Sequence, residues 1–264
     1  MEQFQFKKKF GQNFLKDDTI PSKIVSYSQI PEDTLVIEIG PGAGALTKQL
    51  AGASKQVLAY EVDTSLEEIL DQNLVSYSNI QIIYDDFLKR DIKQDLKDFK
   101  YQHLYVIANL PYYITTPILM KIIESGIVVD KIVIMVQKEV GDRFCAKPKS
   151  RNYGSITVFL NYYFEINKLF VVSRNCFIPK PNVDSVILSL TRKKELLPVD
   201  DFSLFSKLVR DSFQYKRKNL KNNLKAYNLS LIETVLRRFN YQLTTRAEEL
   251  PLEVFVEISN ILSK

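Results

Sequence analysis

Six apolar runs rich in β-branched residues mark the first 190 positions, at 35–39, 56–61, 80–84, 104–108, 131–136 and 186–190. Most are nearly continuous rather than alternating with polar residues. A strand with one wet face alternates, whereas a strand covered on both faces does not, so the pattern predicts a parallel sheet packed between helices. Segments of helical length separate the runs. Residues 45–51 follow a glycine-rich turn, 66–74 carry apolar residues at helical spacing, and 117–124 open on a proline, which suits a first helical turn. Alternating strand and helix imply an α/β fold, an open, doubly wound and mostly parallel sheet. A helix over 154–163 and a strand near 165–171 lead to the last run. Beyond Arg192 the texture changes. Leu204, Phe205, Leu208, Val209 and Phe213 recur at helical spacing, then Leu220 with Leu224, then Leu231 with Val235 and Leu236. Residues 248–262 read as a final helix with Pro251 in its first turn. The expected division is an α/β domain over 1–190 and a small all-α domain over 191–264.

A chain of 264 residues buries enough surface to fold without disulfides. With 45% apolar and 25% charged residues it is of globular composition, and it has no run of the ~20 apolar residues that a membrane helix needs. Positions 1–9 lack the apolar region of a secretory signal. Cys145 and Cys176 have no metal-ligand spacing, and a reducing cytoplasm is the expected location. The single histidine, His103, precedes an apolar run and has no partners for a Ser-His-Asp triad or a three-His zinc site. Chemistry must therefore rest on carboxylates, amides, aromatics or a cofactor. Charge is segregated: 191–264 hold 14 Lys/Arg against 9 Asp/Glu, while 1–190 hold 22 of each. Within 207–225, Lys207, Arg210, Lys216, Arg217, Lys218, Lys221 and Lys225 face Asp211 alone. Such a stripe matches a phosphate backbone, although a solvated helix face has the same composition. Lys7–Lys9 and Lys147, Lys149 and Arg151 form two further basic clusters.

Positions 36–47 combine a strand, the turn Gly40-Pro41-Gly42-Ala43-Gly44 and a helix start. Glycines there let the backbone approach a ligand, and the helix N-terminus favours an anionic group. Glu61 ends the next strand and is placed to accept both hydroxyls of a ribose; Asp63 is a second candidate. Asp85-Asp86 follow the third strand, and Asn109-Leu110-Pro111-Tyr112 the fourth. Ligand-like groups thus fall at four successive strand ends, where open α/β sheets bind ligands. The last motif points to a reaction. The exocyclic amine of adenine is a poor nucleophile because its lone pair is delocalised into the ring. An amide oxygen and a fixed backbone carbonyl that accept its two N–H bonds favour a tetrahedral nitrogen. Pro111 fixes the turn and Tyr112 offers a stacking face. A sulfonium donor, S-adenosylmethionine, then needs positioning but no metal. Cytosine C5 chemistry would need a cysteine nucleophile, and neither cysteine stands among these motifs.

With Phe10-Gly11-Gln12-Asn13-Phe14-Leu15, Glu38-Ile39-Gly40-Pro41-Gly42, Asn109–Tyr112, Gln137–Val140, Tyr153-Gly154-Ser155, Phe177–Ser185, Lys216–Leu220 and Arg246–Leu250, the sequence resembles the small-subunit ribosomal RNA adenine N6-dimethyltransferases over nearly its whole length. The resemblance implies a class I S-adenosylmethionine-dependent methyltransferase fold. It implies that the segment with Asn13 and Leu15 closes over the methionine end of the cofactor. It implies that Gly40, Glu61, Asp86 and Asn109 line the pocket, with Gly42 in the same loop, and that Asp86 rather than Asp85 faces the cofactor's adenine. Phe177 is expected to stack on the target base opposite Tyr112. Lys216, Arg217, Lys218, Lys221 and Lys225 are expected to bind RNA. The implied activity is dimethylation of two adjacent adenosines near the 3′ end of 16S ribosomal RNA, in a small-subunit precursor, by a monomer with no membrane partner. The alternatives are the related large-subunit (23S) enzyme that confers macrolide resistance, which shares the glycine loop, and a non-catalytic assembly or nucleic-acid-binding factor. The intact Asn109–Tyr112 speaks against the second, and against a nicotinamide dehydrogenase.

Overall fold

The structure, a computed structural model, describes residues 14–264; Asn13 and the Lys7–Lys9 cluster lie outside them. In chain order the elements begin with β1 (Phe14–Leu15), α1 (Thr19–Ser28), β2 (Thr34–Ile39), α2 (Ala45–Ala53), β3 (Gln56–Tyr60), α3 (Glu67–Leu74), β4 (Ile80–Ile83) and α4 (Ile92–Leu96). Next come β5 (His103–Asn109), α5 (Thr115–Glu124), β6 (Lys131–Gln137), α6 (Lys138–Phe144), α7 (Ser155–Tyr163), β7 (Phe164–Val172), β8 (Phe177–Ile178) and β9 (Ser185–Arg192). The chain ends with α8 (Phe202–Ser212), α9 (Leu220–Asn223), α10 (Leu229–Arg238) and α11 (Leu252–Leu262).

The main sheet has seven strands in the order β4-β3-β2-β5-β6-β9-β7. Strands β4, β3, β2, β5 and β6 are mutually parallel, and β9 runs antiparallel to β6 with Gln137 opposite Ser185. The continuous apolar runs are explained by burial: every residue of β2 is buried, as are five of the seven in each of β5 and β6. One face carries Ile24 of α1 and Leu46 and Leu50 of α2, which pack with Val36, Val57, Ile107 and Val133 of the sheet. A separate two-stranded ribbon pairs β1 with β8 antiparallel, Leu15 opposite Phe177.

The structure divides into two compact units, one of residues 1–141 and 167–191, the other of 142–166 and 192–264. This corrects the expected border at 190. Residues 142–166, read as part of the α/β domain, group with the C-terminal helices. Aromatic packing is the reason: Phe159 of α7 meets Phe205 of α8 edge-on at 6.1 Å, and Tyr153 lies 6.1 Å from Phe213. In the helical unit, Asp201 and Asn228 accept backbone N–H bonds at the starts of α8 and α10. The last helix begins at Leu252, with Pro251 as its cap, because 247–249 form a separate 3-10 turn. In α5 the helix starts two residues before Pro117.

Candidate active site

The parallel strands β2 to β5 end along one edge, and the expected ligand groups collect there. Gly40 follows β2, Glu61 follows β3, Asp86 lies beyond β4 and Asn109 closes β5. Register brings the first two together. Ile39 pairs with Tyr60, so Gly40 donates its N–H to the Tyr60 carbonyl at 2.9 Å. The turn then folds back until the Gly42 N–H reaches Glu61 Oε2 at 3.2 Å. Gly40 has φ +75° and Gly42 φ +60°, the left-handed region that favours glycine. A methyl group placed on Gly40 would meet nothing within 4 Å, so its backbone angle, not crowding, calls for glycine there and leaves an open cradle.

Glu61 is 4% exposed, and its other oxygen, Oε1, accepts the Asp63 N–H at 2.8 Å. Burial pushes this carboxyl above its usual range, against the lowering effect of backbone N–H donors from Asp63, Gly42 and Val62. Local geometry gives Glu61 and Asp63 different partners. Asp63 Oδ1 caps the turn 64–66 by accepting from Ser65 N and Ser65 Oγ at 3.2 and 2.7 Å, a structural duty. Asp85 is similarly engaged, accepting the Asp86 N–H at 2.7 Å and pairing with Arg90 at 3.4 Å. Asp86 caps the next turn through the Leu88 N–H at 3.0 Å.

At the end of β5, Leu110 is buried and the Pro111 carbonyl accepts from Ile114 N and Thr115 Oγ1 at 3.2 and 3.3 Å, which pins the turn. The Tyr112 hydroxyl lies 2.7 Å from Ser185 Oγ, a fully buried side chain at the start of β9. Burial raises the Tyr112 phenol above its ordinary value, so it stays a neutral hydroxyl. Phe177 departs from expectation. Its ring is 1% exposed and packs in the core with Leu46, Leu50, Met135 and Ile187, so it presents no open face for a base. An aromatic beside a proline-rich loop suggests a stacking platform, but in this structure register with Leu15 turns the ring inward. Leu15 itself packs against the same core. The expected RNA residues Lys216, Arg217, Lys218, Lys221 and Lys225 are all exposed and all lie in the helical unit.

Two residues were given no role from the sequence. Ser185 stands in a quoted motif without an assigned partner. Glu38 lies 1% exposed within β2. Its burial pushes the carboxyl up to about 8, eased by the Thr47 hydroxyl and reinforced by Glu61. A lone acid inside an otherwise apolar strand is the signal that marks it. Among the described residues no group of three His, Cys, Asp or Glu side chains is placed to hold a metal.

A glycine turn bonded to the buried Glu61 carboxylate ends β2, and the Asn109–Tyr112 turn ends the adjacent β5, the edge at which open α/β sheets of the doubly wound class bind ligands. The comparisons identify the family. A model of the ribosomal RNA adenine dimethylase family matches residues 3–264, and the chain belongs to that family. It is 44% identical to the ribosomal RNA small subunit methyltransferase A of Lactococcus lactis, over 98% of this chain and 90% of the relative. It is 43% identical to the protein of that name from Bacillus mycoides, over 98% and 92%. Among solved structures, a dimethyladenosine transferase from Plasmodium falciparum superposes with a TM-score of 0.77 at 25% identity, covering 93% of this chain and 95% of that one. The 23S rRNA methyltransferase ErmE gives 0.70 at 25% identity, with 96% and 100% covered.

Proposed function

We propose that this enzyme transfers methyl groups from S-adenosylmethionine to N6 of two adjacent adenosines near the 3′ end of 16S ribosomal RNA, dimethylating each. Its substrate on this reading is a small-subunit precursor in the cytoplasm, and it acts as a monomer. The observation that carries the reading is the juxtaposition, on one sheet edge, of the Gly42–Glu61 hydrogen bond with the Asn109–Tyr112 turn. The greater identity to small-subunit enzymes than to ErmE, 44% against 25%, favours the small-subunit target.

When bound, S-adenosylmethionine supplies an electrophilic methyl group on a positively charged sulfur. The open space over Gly40 and the buried Glu61 carboxylate fit its methionine and ribose portions, and Asp86 and Leu15 complete the pocket in this assignment. Asn109 accepts one N–H of the target amine through its amide oxygen. The Pro111 carbonyl is already occupied, so the backbone acceptor falls to Leu110. Holding both hydrogens draws the nitrogen toward tetrahedral geometry and aims its lone pair. Tyr112, fixed through Ser185, supplies the stacking face for the flipped base. The amine proton is lost only after the nitrogen has become cationic, so no strong base is needed. Primer-extension mapping after methylation of unmodified small subunits tests the proposal. Stops at two adjacent adenosines near the 16S 3′ end are expected; stops confined to 23S RNA would transfer the activity to the large-subunit class.

A further inference from the structure

We infer that the loop 147–151 and the turn 215–218 form one phosphate-binding face on the helical unit, and that Lys216 holds the two together. The inference rests on the reading that this unit docks ribosomal RNA, and extends it to a cluster that reading leaves without a role. Once 142–166 are assigned to the helical unit, the charge separation sharpens. That unit has 18 Lys/Arg against 11 Asp/Glu, a net of +7, while the sheet unit has 18 against 20, a net of −2.

Both segments are built to hold their shape. The Lys149 N–H donates to the Glu248 carbonyl at 2.8 Å, and Tyr153, 3% exposed, anchors the loop's far end beside Phe213. Lys149 itself has φ +69°, a left-handed conformation in which glycine or asparagine would be at ease. A lysine kept there is a local strain of the kind that accompanies function. The turn 215–218 is clamped by the buried Asn223. Its Nδ2 donates to the Ser212 and Tyr215 carbonyls at 2.7 and 3.3 Å, and its Oδ1 accepts the Tyr215 N–H at 3.2 Å. Lys216 Nζ then donates to the Arg151 carbonyl at 2.9 Å, which joins the two segments.

Their charges are also uncompensated. Elsewhere in the unit Lys207, Arg237 and Arg238 are paired with Asp211, Glu233 and Glu257. Among the described residues Lys147, Lys149, Arg151, Arg217 and Lys218 are exposed and paired with no carboxylate. Tyr215, 58% exposed, sets a ring among them on which an unpaired base can stack. A rigid, unpaired set of cations with an exposed aromatic fits an RNA backbone rather than a folded acidic protein, whose carboxylates gain nothing from the ring.

The test measures binding of the full-length protein to unmodified small ribosomal subunits across a salt series. Lys147→Glu with Lys149→Glu should weaken binding about tenfold or more and lower the log–log salt slope by about two, as for two lost phosphate contacts. The neutral pair Lys147→Ala with Lys149→Ala should lower the slope by as much, since the same two contacts are lost, but weaken binding less because no repulsion is added, and Lys97→Glu with Lys100→Glu on the sheet unit should move neither. Lys216→Met should speed hydrogen exchange in 147–152, whereas Lys218→Met should not. If Arg217→Glu with Lys218→Glu weakens binding while the 147/149 variants keep wild-type affinity and slope, the joint face is wrong and the RNA reading of the helical unit stands. If neither pair changes binding, that reading fails as well. Unchanged exchange in Lys216→Met would remove the tie.

Discussion

Replacing Glu61 by Gln keeps the side chain's shape and removes its charge from the sheet edge. The two carboxylate oxygens accept N–H bonds from different loops, Gly42 at 3.2 Å and Asp63 at 2.8 Å. A glutamine has one acceptor oxygen and a donor nitrogen, so one of these backbone N–H groups would face another donor. The same carboxylate is the proposed acceptor of the cofactor's ribose hydroxyls. A hydrogen bond to a charged group is worth about 1.5–3 kcal/mol, and each 1.4 kcal/mol is about a factor of ten in affinity. Glu61→Gln should therefore bind S-adenosylmethionine about ten- to a hundredfold more weakly. Glu61→Ala should lose at least as much, because it leaves a void as well. Calorimetry with S-adenosylmethionine and with S-adenosylhomocysteine is the assay; both share the ribose and should weaken equally. Affinity for small subunits without cofactor should not change. Because burial holds this carboxyl above its usual range, binding to the wild type should weaken as pH falls through that raised value, and the Gln variant should lose this dependence. Wild-type affinity in Glu61→Gln would refute the assignment of Glu61 to the ribose.

Asn109→Ala should lower kcat while leaving affinity for small subunits intact, since the amide's hold on the amine strengthens as the nitrogen becomes tetrahedral; single-turnover methylation at the wild-type rate would contradict it. Tyr112→Phe should retain more activity than Tyr112→Ala, because stacking on an aromatic is worth about 1–3 kcal/mol. Ser185→Ala and Tyr112→Phe remove the same 2.7 Å hydrogen bond, so the double variant should be no slower than the worse single one; additive losses would separate the two roles. Glu38 has its carboxyl raised to about 8 in the folded chain from an ordinary value near 4.5. Its contribution to stability is complete below the unfolded value and is lost as pH rises toward 8, an effect on the order of a few kcal/mol. Glu38→Gln should flatten the decline of Tm between pH 5 and 8; an unaltered decline would show that Glu38 is ionised throughout.

The sheet was legible because its strands are buried on both faces, and five parallel strands lie within a residue or two of the apolar runs. The expected ligand groups collect at one edge for the same reason: the strands are parallel, Gly40 and Glu61 directly follow β2 and β3, and Asn109 is the last residue of β5. What escaped the sequence depends on pairing between distant segments. The two-residue strands β1 and β8 have no period to read, yet their register decides that Phe177 faces inward. The domain border was misplaced because α7 looks like any crossover helix; only its aromatic partners on α8 reveal where it packs. Which of the neighbouring acids engages its own turn is equally invisible in the sequence: Asp63 and Asp86 both cap turns, and Asp85 pairs with Arg90.

The place of β9 between β6 and β7 has a consequence for how the protein is made. A ribosome delivers β7 before β9, yet β7 has no neighbour in the sheet until β9 arrives. The nascent chain therefore carries an unpaired β6 edge and a waiting β7 until about residue 192 has emerged. Open edges of this kind invite pairing with other chains, and late, non-local pairing slows folding. Ser185, which fixes Tyr112, arrives on that same strand. Closure of the sheet and the fixing of Tyr112 thus depend on the same strand. A chain interrupted before β9 would lack the Ser185 partner of Tyr112 and leave the β6 edge open.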